Sequence, residues 1–193
     1  GTSIKKNEPN YLFTHLVPTK MGETLLEWGG KYYRAFHKID AYALSVLENP
    51  IQAKEAAAQF GKFTQVLKGL DMQSLKITLP NFHNLSLRFH QFNMAIKDGD
   101  QNRIQQANTS IQYLIDQRFL VEKFEQFITH PDSYLRVTHH DTKISNVLFD
   151  ETDRAICVID LDTVMPGYFF SDLGDMFRTY LSPVGEDEQE LSL

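Results

Sequence analysis

A single cysteine, Cys157, among 193 residues excludes an internal disulfide. Long apolar runs are missing as well: none approaches the roughly 18 residues of a membrane-crossing helix, and the polar start does not read as a signal peptide. Basic charge is scarce. Nineteen Lys and Arg against 25 Asp and Glu leave a formal charge of -6, with no stripe of lysine and arginine, which argues against a broad nucleic-acid or membrane surface. Glycine is thin in the first third: before Gly61 stand only Gly1, Gly22, Gly29 and Gly30, and no G-x-G-x-x-G spacing occurs. Repeats and low-complexity segments are absent from the sequence. What remains is the composition of an ordinary folded domain, with 42% hydrophobic and 12% aromatic residues to build a core. Cys157, inside the apolar run 155–159, reads as a small core residue rather than a nucleophile.

The run His139-His140-Asp141-Thr142-Lys143-Ile144-Ser145-Asn146, followed by apolar residues ending at Asp160, carries the most chemistry. Phosphoryl transfer needs an Asp to accept the proton of the attacking hydroxyl, and an Asn and a second Asp to hold the magnesium that neutralises phosphate charge. All three occur here in order. Residues 147–149 and 155–159 are apolar and rich in β-branched side chains, and the turn formers Asp150 and Asp153 lie between them, so a hairpin is predicted. Antiparallel strands bring the start of one to the end of the other. Asn146 and Asp160 are therefore predicted to be neighbours, able to share one hard cation through oxygen ligands. A metal-dependent phosphohydrolase stands as a rival, with His139, His140, Asp141, Asp160 and Asp162 as ligands of two cations. Lys143 and Asn146 have no task in that scheme. A polar turn beside a buried hairpin is the plainest reading.

Around this motif the chain reads as α+β. Gly29 and Gly30 supply the positive φ angles of a tight turn between strands at 23–28 and 31–37. Asn49 and Pro50 form a helix start, and Ala56, Phe60, Phe63, Leu67 and Leu70 recur at helical spacing after it. Leu85, Phe89, Phe92 and Ile96 repeat the pattern up to Asp98 and Gly99. A third helical tract runs from 103 to 128, with its apolar phase drifting near Arg118, and ends before Pro131. Each one-sided stripe reads as core packing. The acidic stretch 186–190 reads as a solvated tail.

Residues 136–150 (RVTHHDTKISNVLFD) and 158–167 (VIDLDTVMPG) resemble the aminoglycoside phosphotransferase and choline kinase superfamily, and within it the N-acetylhexosamine 1-kinases. Residues 10–13, 31–34 and 81–84 are similar to that branch too. The resemblance spans most of the chain, with its specific motifs between Arg136 and Arg178. It implies a protein-kinase-like fold, mainly the helical C-terminal lobe (41–193) with a small β remnant of the N-terminal lobe (1–40), the stretch at about 37–41 being the hinge whose backbone meets adenine. It implies a cytoplasmic enzyme using ATP and Mg2+ on a small-molecule acceptor, a sugar, with no nucleic-acid or membrane partner.

Position by position, the resemblance makes Asp141 the catalytic base, places His139 as the structural histidine of the loop, and sets Lys143 to reach the γ-phosphate. Asn146 and Asp160 become the magnesium ligands. Asp172 becomes the carboxylate that opens a helix and holds the loop backbone. Asp162 is open between a partner of the metal site, a sugar ligand and a hairpin-end acceptor. His83 and Asn84 can line the sugar site, or His83 can cap the next helix. His140 either tunes the site or faces solvent. The chain departs from the family in lacking the glycine-rich loop, and the lysine and glutamate that orient ATP phosphates cannot be placed. The 193 residues are therefore expected to be a fragment, inactive alone, with Gly1 a tag scar. A non-catalytic kinase-like binding fragment is the competing class.

Overall fold

A computed structural model describes residues 11–185 and 188; Gly1, Asn10 and, apart from Glu188, the acidic stretch 186–190 lie outside the described residues. The strands in chain order are β1 (Leu16–Val17), β2 (Leu26–Trp28), β3 (Lys31–Tyr33), β4 (Ala35–Phe36), β5 (Tyr42–Ala43), β6 (Arg136–Thr138), β7 (Val147–Phe149), β8 (Ala155–Val158) and β9 (Met165–Gly167). The helices are α1 (Pro50–Val66), α2 (Leu85–Asp98), α3 (Gln101–Gln106), α4 (Asn108–Asp116), α5 (Phe119–Thr129) and α6 (Phe169–Tyr180). This is an α+β fold whose sheets have two or three strands. Among the described residues no helix is long and apolar enough to cross a membrane.

Gly29 and Gly30, at φ 60° and 71°, make the two-residue turn between β2 and β3, with Trp28 opposite Lys31 and Leu26 opposite Tyr33. Positive φ at both central residues suits the right-handed twist of a short hairpin, and glycine adopts it without a Cβ clash. The expected strand 31–37 is corrected: it breaks at Arg34, and β4 pairs instead with β1, Phe36 facing Leu16. A strand extends only while its partner follows, and β2 leaves the ladder beyond Leu26.

The core forms where α1 packs on β8. Asn49 caps α1, its side-chain oxygen accepting the N–H groups of Ile51 and Gln52 at 3.0 Å, and Pro50 occupies the first helical position, where its missing N–H costs nothing. The predicted stripe is buried: Ala56, Phe60, Phe63 and Leu67 join Val147, Phe149 and Val158 in one cluster, with Leu70 at its edge. Each buried aromatic contributes roughly 1.5–3 kcal/mol. Cys157 is fully buried, and burial pushes its thiol up to about 11. Leu12 bridges to Cys157, and the Tyr11 and Phe13 rings close over Phe63 at 6.4 and 6.5 Å.

The predicted hairpin is present. Val147 pairs with Val158 and Leu148 with Cys157, followed by a bulge, and Asp150 ties the turn by accepting the N–H groups of Thr152 and Arg154 at 2.9 and 3.1 Å. On its other edge β7 pairs with β5, so Tyr42 and Ala43 join this three-stranded sheet immediately after the expected hinge at 37–41. Within that stretch the His37 N–H donates to the His15 carbonyl at 2.9 Å. Strand β6 pairs with β9, placing Thr138 opposite Met165 and Arg136 opposite Gly167.

Two compact units result, 1–78 with 136–193 and, separately, 79–135. In the second unit α2 packs with α5, and the Ser86 hydroxyl donates to Glu125 at 2.8 Å. The predicted single helix over 103–128 is corrected to three. Ala107 closes α3 and opens α4, and Gln117 and Arg118 separate α4 from α5. A straight helix would carry the apolar stripe off one face once its phase drifts, and the breaks reset it. The expectation of core packing holds for α1 alone, since no residue of α2 to α5 is buried; Leu114, Phe119 and Phe127 are 47%, 52% and 46% exposed.

Candidate active site

The loop between β6 and β7 is held by buried side chains. His139 is fully buried, with the edges of Phe60 and Phe63 against its ring at 5.2 and 5.7 Å between centroids. Its Nε2 lies 3.0 Å from the Ile159 carbonyl, which can only accept, so Nε2 carries the proton; Nδ1 then accepts the Asp141 N–H at 3.3 Å. Burial holds the ring below the ordinary histidine range, and only the Ile159 bond and nearby carboxylates oppose it. A neutral imidazole thus links the backbone of Asp141 to the strand end that leads into Asp160.

Asp172 holds the next turn of the loop. It is 3% exposed, and its two oxygens accept the backbone N–H groups of His139 at 3.0 Å and His140 at 2.8 Å. Thr142, also fully buried, donates its hydroxyl to the Asp172 carbonyl at 2.7 Å. The expectation that Asp172 opens its helix is corrected in one respect: Tyr168 occupies the cap position of α6, and Asp172 lies in the first turn. A carboxylate there still suits the positive end of the helix.

His140 adopts the left-handed conformation, φ 68°, which a residue with a Cβ enters at a cost. It is 5% exposed, so the solvent-facing alternative does not hold. Its Nε2 lies 2.7 Å from Thr138 Oγ1, which in turn donates to the Met165 carbonyl at 3.1 Å. Gly167 faces this pair closely enough that any Cβ would strike the His140 ring and Thr138 Oγ1.

The twist at His140 leads to Asp141, whose carboxylate is 22% exposed. Asn146 donates its amide to the Asp141 carbonyl and to Oδ2, both at 2.9 Å, and Lys143 Nζ stands 3.3 Å from the same Oδ2. Since the Asn146 nitrogen is committed to Asp141, its oxygen is the atom left for a cation. The Ile159 N–H donates to the Asn146 carbonyl at 2.9 Å, so Asp160 is the next residue along from this contact. Asp160 too is left-handed, at φ 57°, and exposed. The short helical turn 161–163 after it is fixed to the loop by the Thr163 hydroxyl, which donates to the His139 carbonyl at 2.6 Å.

Asp162 pairs with Arg34, whose guanidinium donates to both carboxylate oxygens, while Thr78 Oγ1 donates to the Asp162 carbonyl at 3.0 Å. Arg34 was not anticipated, because nothing local marks a partner 128 positions away. Thr138, Thr142 and Thr163 were missed for a related reason: threonines that hold a loop resemble threonines that do nothing. His83 and Asn84 lie in the other compact unit. Asn84, not His83, caps α2 by accepting the Leu87 N–H at 3.0 Å, and the His83 ring packs on Phe82 at 4.5 Å.

The side-chain oxygen of Asn146 and the carboxylate of Asp160, one residue past the Ile159 contact, are the kind of ligand that suits a hard cation completing its shell with water and phosphate. No group of three or more His, Cys, Asp or Glu among the described residues is arranged to hold a metal by itself. The two-cation hydrolase loses its histidines: both ring nitrogens of His139 are engaged within the protein, and His140 is buried against Thr138.

Solved structures share this fold. The aminoglycoside phosphotransferase from Alicyclobacillus acidocaldarius subsp. acidocaldarius DSM 446 superposes with a TM-score of 0.60 at 14% identity, covering 86% of this chain and 52% of that one. The GDP complex of wild-type aminoglycoside 2'-phosphotransferase-IIIa gives 0.52 at 13% identity, over 92% of this chain and 62% of that one. The chain thus spans little more than half the length of the structures it matches. Its sequence matches the model of the phosphotransferase enzyme family over residues 16–191, and the chain belongs to that family.

Proposed function

We propose that the protein transfers the γ-phosphoryl group of ATP to a hydroxyl of a small molecule, an N-acetylhexosamine, in the cytoplasm. One observation carries this reading. The Asp141 carboxylate is held jointly by Asn146 and Lys143, and the Ile159 N–H bonds to the Asn146 carbonyl one residue before Asp160. In this reading Asp141 orients the acceptor hydroxyl and takes its proton as the oxygen attacks phosphorus. Lys143 shares that carboxylate and can follow the phosphoryl group as a mobile point charge. Asn146 and Asp160 would hold magnesium, which supplies neutralisation of the phosphate charge. His139 and Asp172 act through the backbone: one sets the height of Asp141 and Ile159, the other locks the turn at His139 and His140. Asp162, paired to Arg34, steadies the turn after Asp160.

Lobes at 1–40 and 41–193, with adenine meeting the chain near 37–41, complete the reading. His83 and Asn84 take no step in it. The choice of sugar rests on the likeness of residues 158–167 to one branch of the family. The test uses full-length protein with Mg-ATP and a panel of hydroxylated acceptors, followed by mass spectrometry of the products. Phosphorylated acceptor is expected, and Asp160→Ala should weaken Mg-ATP binding by calorimetry. Heat of binding with no phosphorylated product would favour a non-catalytic binding protein instead.

A further inference from the structure

Outside the loop motif, one arginine is tied to the turn that carries Asp160. Arg34, between β3 and β4, gives its Nη2 group to both carboxylate oxygens of Asp162, two residues past Asp160. The guanidinium also lies over the Phe36 ring, 5.3 Å from its centroid, and Phe36 pairs with Leu16 of β1. The anchor therefore belongs to a sheet. Asp162 is held through its main chain as well, because Thr78 Oγ1 donates to its carbonyl at 3.0 Å. All of these residues lie in one compact unit. Both side chains of the ion pair are nonetheless about half exposed, 44% for Arg34 and 56% for Asp162, so the pair is not a piece of the core.

What the pair does follows from the backbone of Asp160. At φ 57° and ψ 61° this residue stands in the left-handed region, where its Cβ crowds the following carbonyl, a conformation that persists only where the surroundings hold it. The flank before it is fastened by the Ile159 N–H on the Asn146 carbonyl at 2.9 Å. The flank after it is fastened by Asp162 and by the Thr163 hydroxyl on the His139 carbonyl at 2.6 Å. We infer that Arg34 is a positioning residue for the cation site: through Asp162 it keeps Asp160 in the left-handed turn from which, with Asn146, it takes a cation. A direct effect of the charge would have the opposite sign. The hydrogen bond to Asp162 raises the Arg34 pKa above the usual arginine value; burial opposes this, and the charges of Asp162 and Asp160 add to it. Arg34 thus stands within electrostatic reach of Asp160, where a positive charge, taken alone, repels an incoming cation. Positioning strengthens cation binding, and bare charge weakens it.

This inference rests on the phosphotransferase reading, and the experiment separates the two. Full-length protein is titrated with ADP by calorimetry, once in Mn2+ and once in EDTA, and the parent should bind ADP more tightly in Mn2+. Arg34→Gln and, separately, Asp162→Asn should each lower ADP affinity in Mn2+ by about five- to twentyfold, between the worth of an exposed ion pair and that of a partner to a metal ligand. In EDTA both should stay within about twofold of the parent. The double variant should lose no more than either single one, since the two side chains act as one unit. Equal losses in Mn2+ and EDTA would make Arg34 a phosphate contact, and unchanged or tighter binding in Mn2+ would leave it no positioning role. Additive losses would mean that Arg34 and Asp162 act apart. Each of these results would overturn the inference while leaving a phosphotransferase. A parent whose ADP binding does not respond to Mn2+ would remove the cation site, and this inference with it.

Discussion

Removing the Asp172 carboxylate should be among the most damaging single changes this chain can suffer. It is 3% exposed and receives two backbone N–H groups, at 3.0 and 2.8 Å, from the consecutive residues His139 and His140. A hydrogen bond to a charged group is worth roughly 1.5–3 kcal/mol, and a buried donor left without a partner bears its full desolvation cost. Two bonds to one carboxylate are not additive, so Asp172→Ala should cost about 3–5 kcal/mol, a large share of the roughly 5–15 kcal/mol that holds a domain together. Asp172→Asn retains one acceptor oxygen but turns an NH₂ group toward the other N–H, and should cost about half as much. The Thr142 bond goes to the main-chain carbonyl and survives both changes. Urea unfolding followed by far-UV circular dichroism measures the losses; the only tryptophan, Trp28, is 73% exposed and a poor reporter of the core. A loss below about 1 kcal/mol for Asp172→Ala would refute the view that this carboxylate holds the loop.

Gly167→Ala should cost about 1–3 kcal/mol by forcing a methyl onto His140 and Thr138, and pairing it with Thr138→Ala should recover part of that loss in the same unfolding assay. Because burial lowers the His139 pKa, the unfolded chain binds that proton more tightly than the folded one. Stability should therefore fall as pH drops below the unfolded value of about 6.5, by at most ~1.4 kcal/mol per pH unit from this group, until the folded value is passed. Urea midpoints at pH 7.5 and 5.0 should converge more in His139→Gln than in the parent. Phe63→Ala, which empties core space under His139, should cost roughly 3–5 kcal/mol, and a loss near zero would mean the α1 face is not packed as described. Cys157 should resist a thiol reagent in the native protein and react at once in denaturant.

The parts of this structure that were legible in the sequence are those whose signals are local. Asn49 and Pro50 mark the start of α1 because a cap and a first-turn proline act within three residues, and the Ala56 to Leu67 stripe faces the core it implies. Gly29 and Gly30 mark their hairpin through a φ angle that few other residues adopt. The β7 and β8 hairpin followed from two apolar runs and the turn between them, and it brings Asn146 next to Ile159. Other features had no local signal. Ala107 breaks a helix without a glycine or proline. The stripes of α2 to α5 report that one side of each helix is apolar, but not what lies against it. Arg34 and Asp162 meet across 128 positions, and no composition or period connects them.

The direct measurement is steady-state and binding analysis of Asp141→Asn in full-length protein, a change that keeps the side-chain shape and removes the proton acceptor. The account predicts a fall in kcat of about 10²- to 10⁴-fold, the usual contribution of a positioned general base, with the Mg-ATP dissociation constant within about threefold of the parent. Turnover near the parental rate would contradict it, and so would loss of nucleotide binding that accounts for the whole defect.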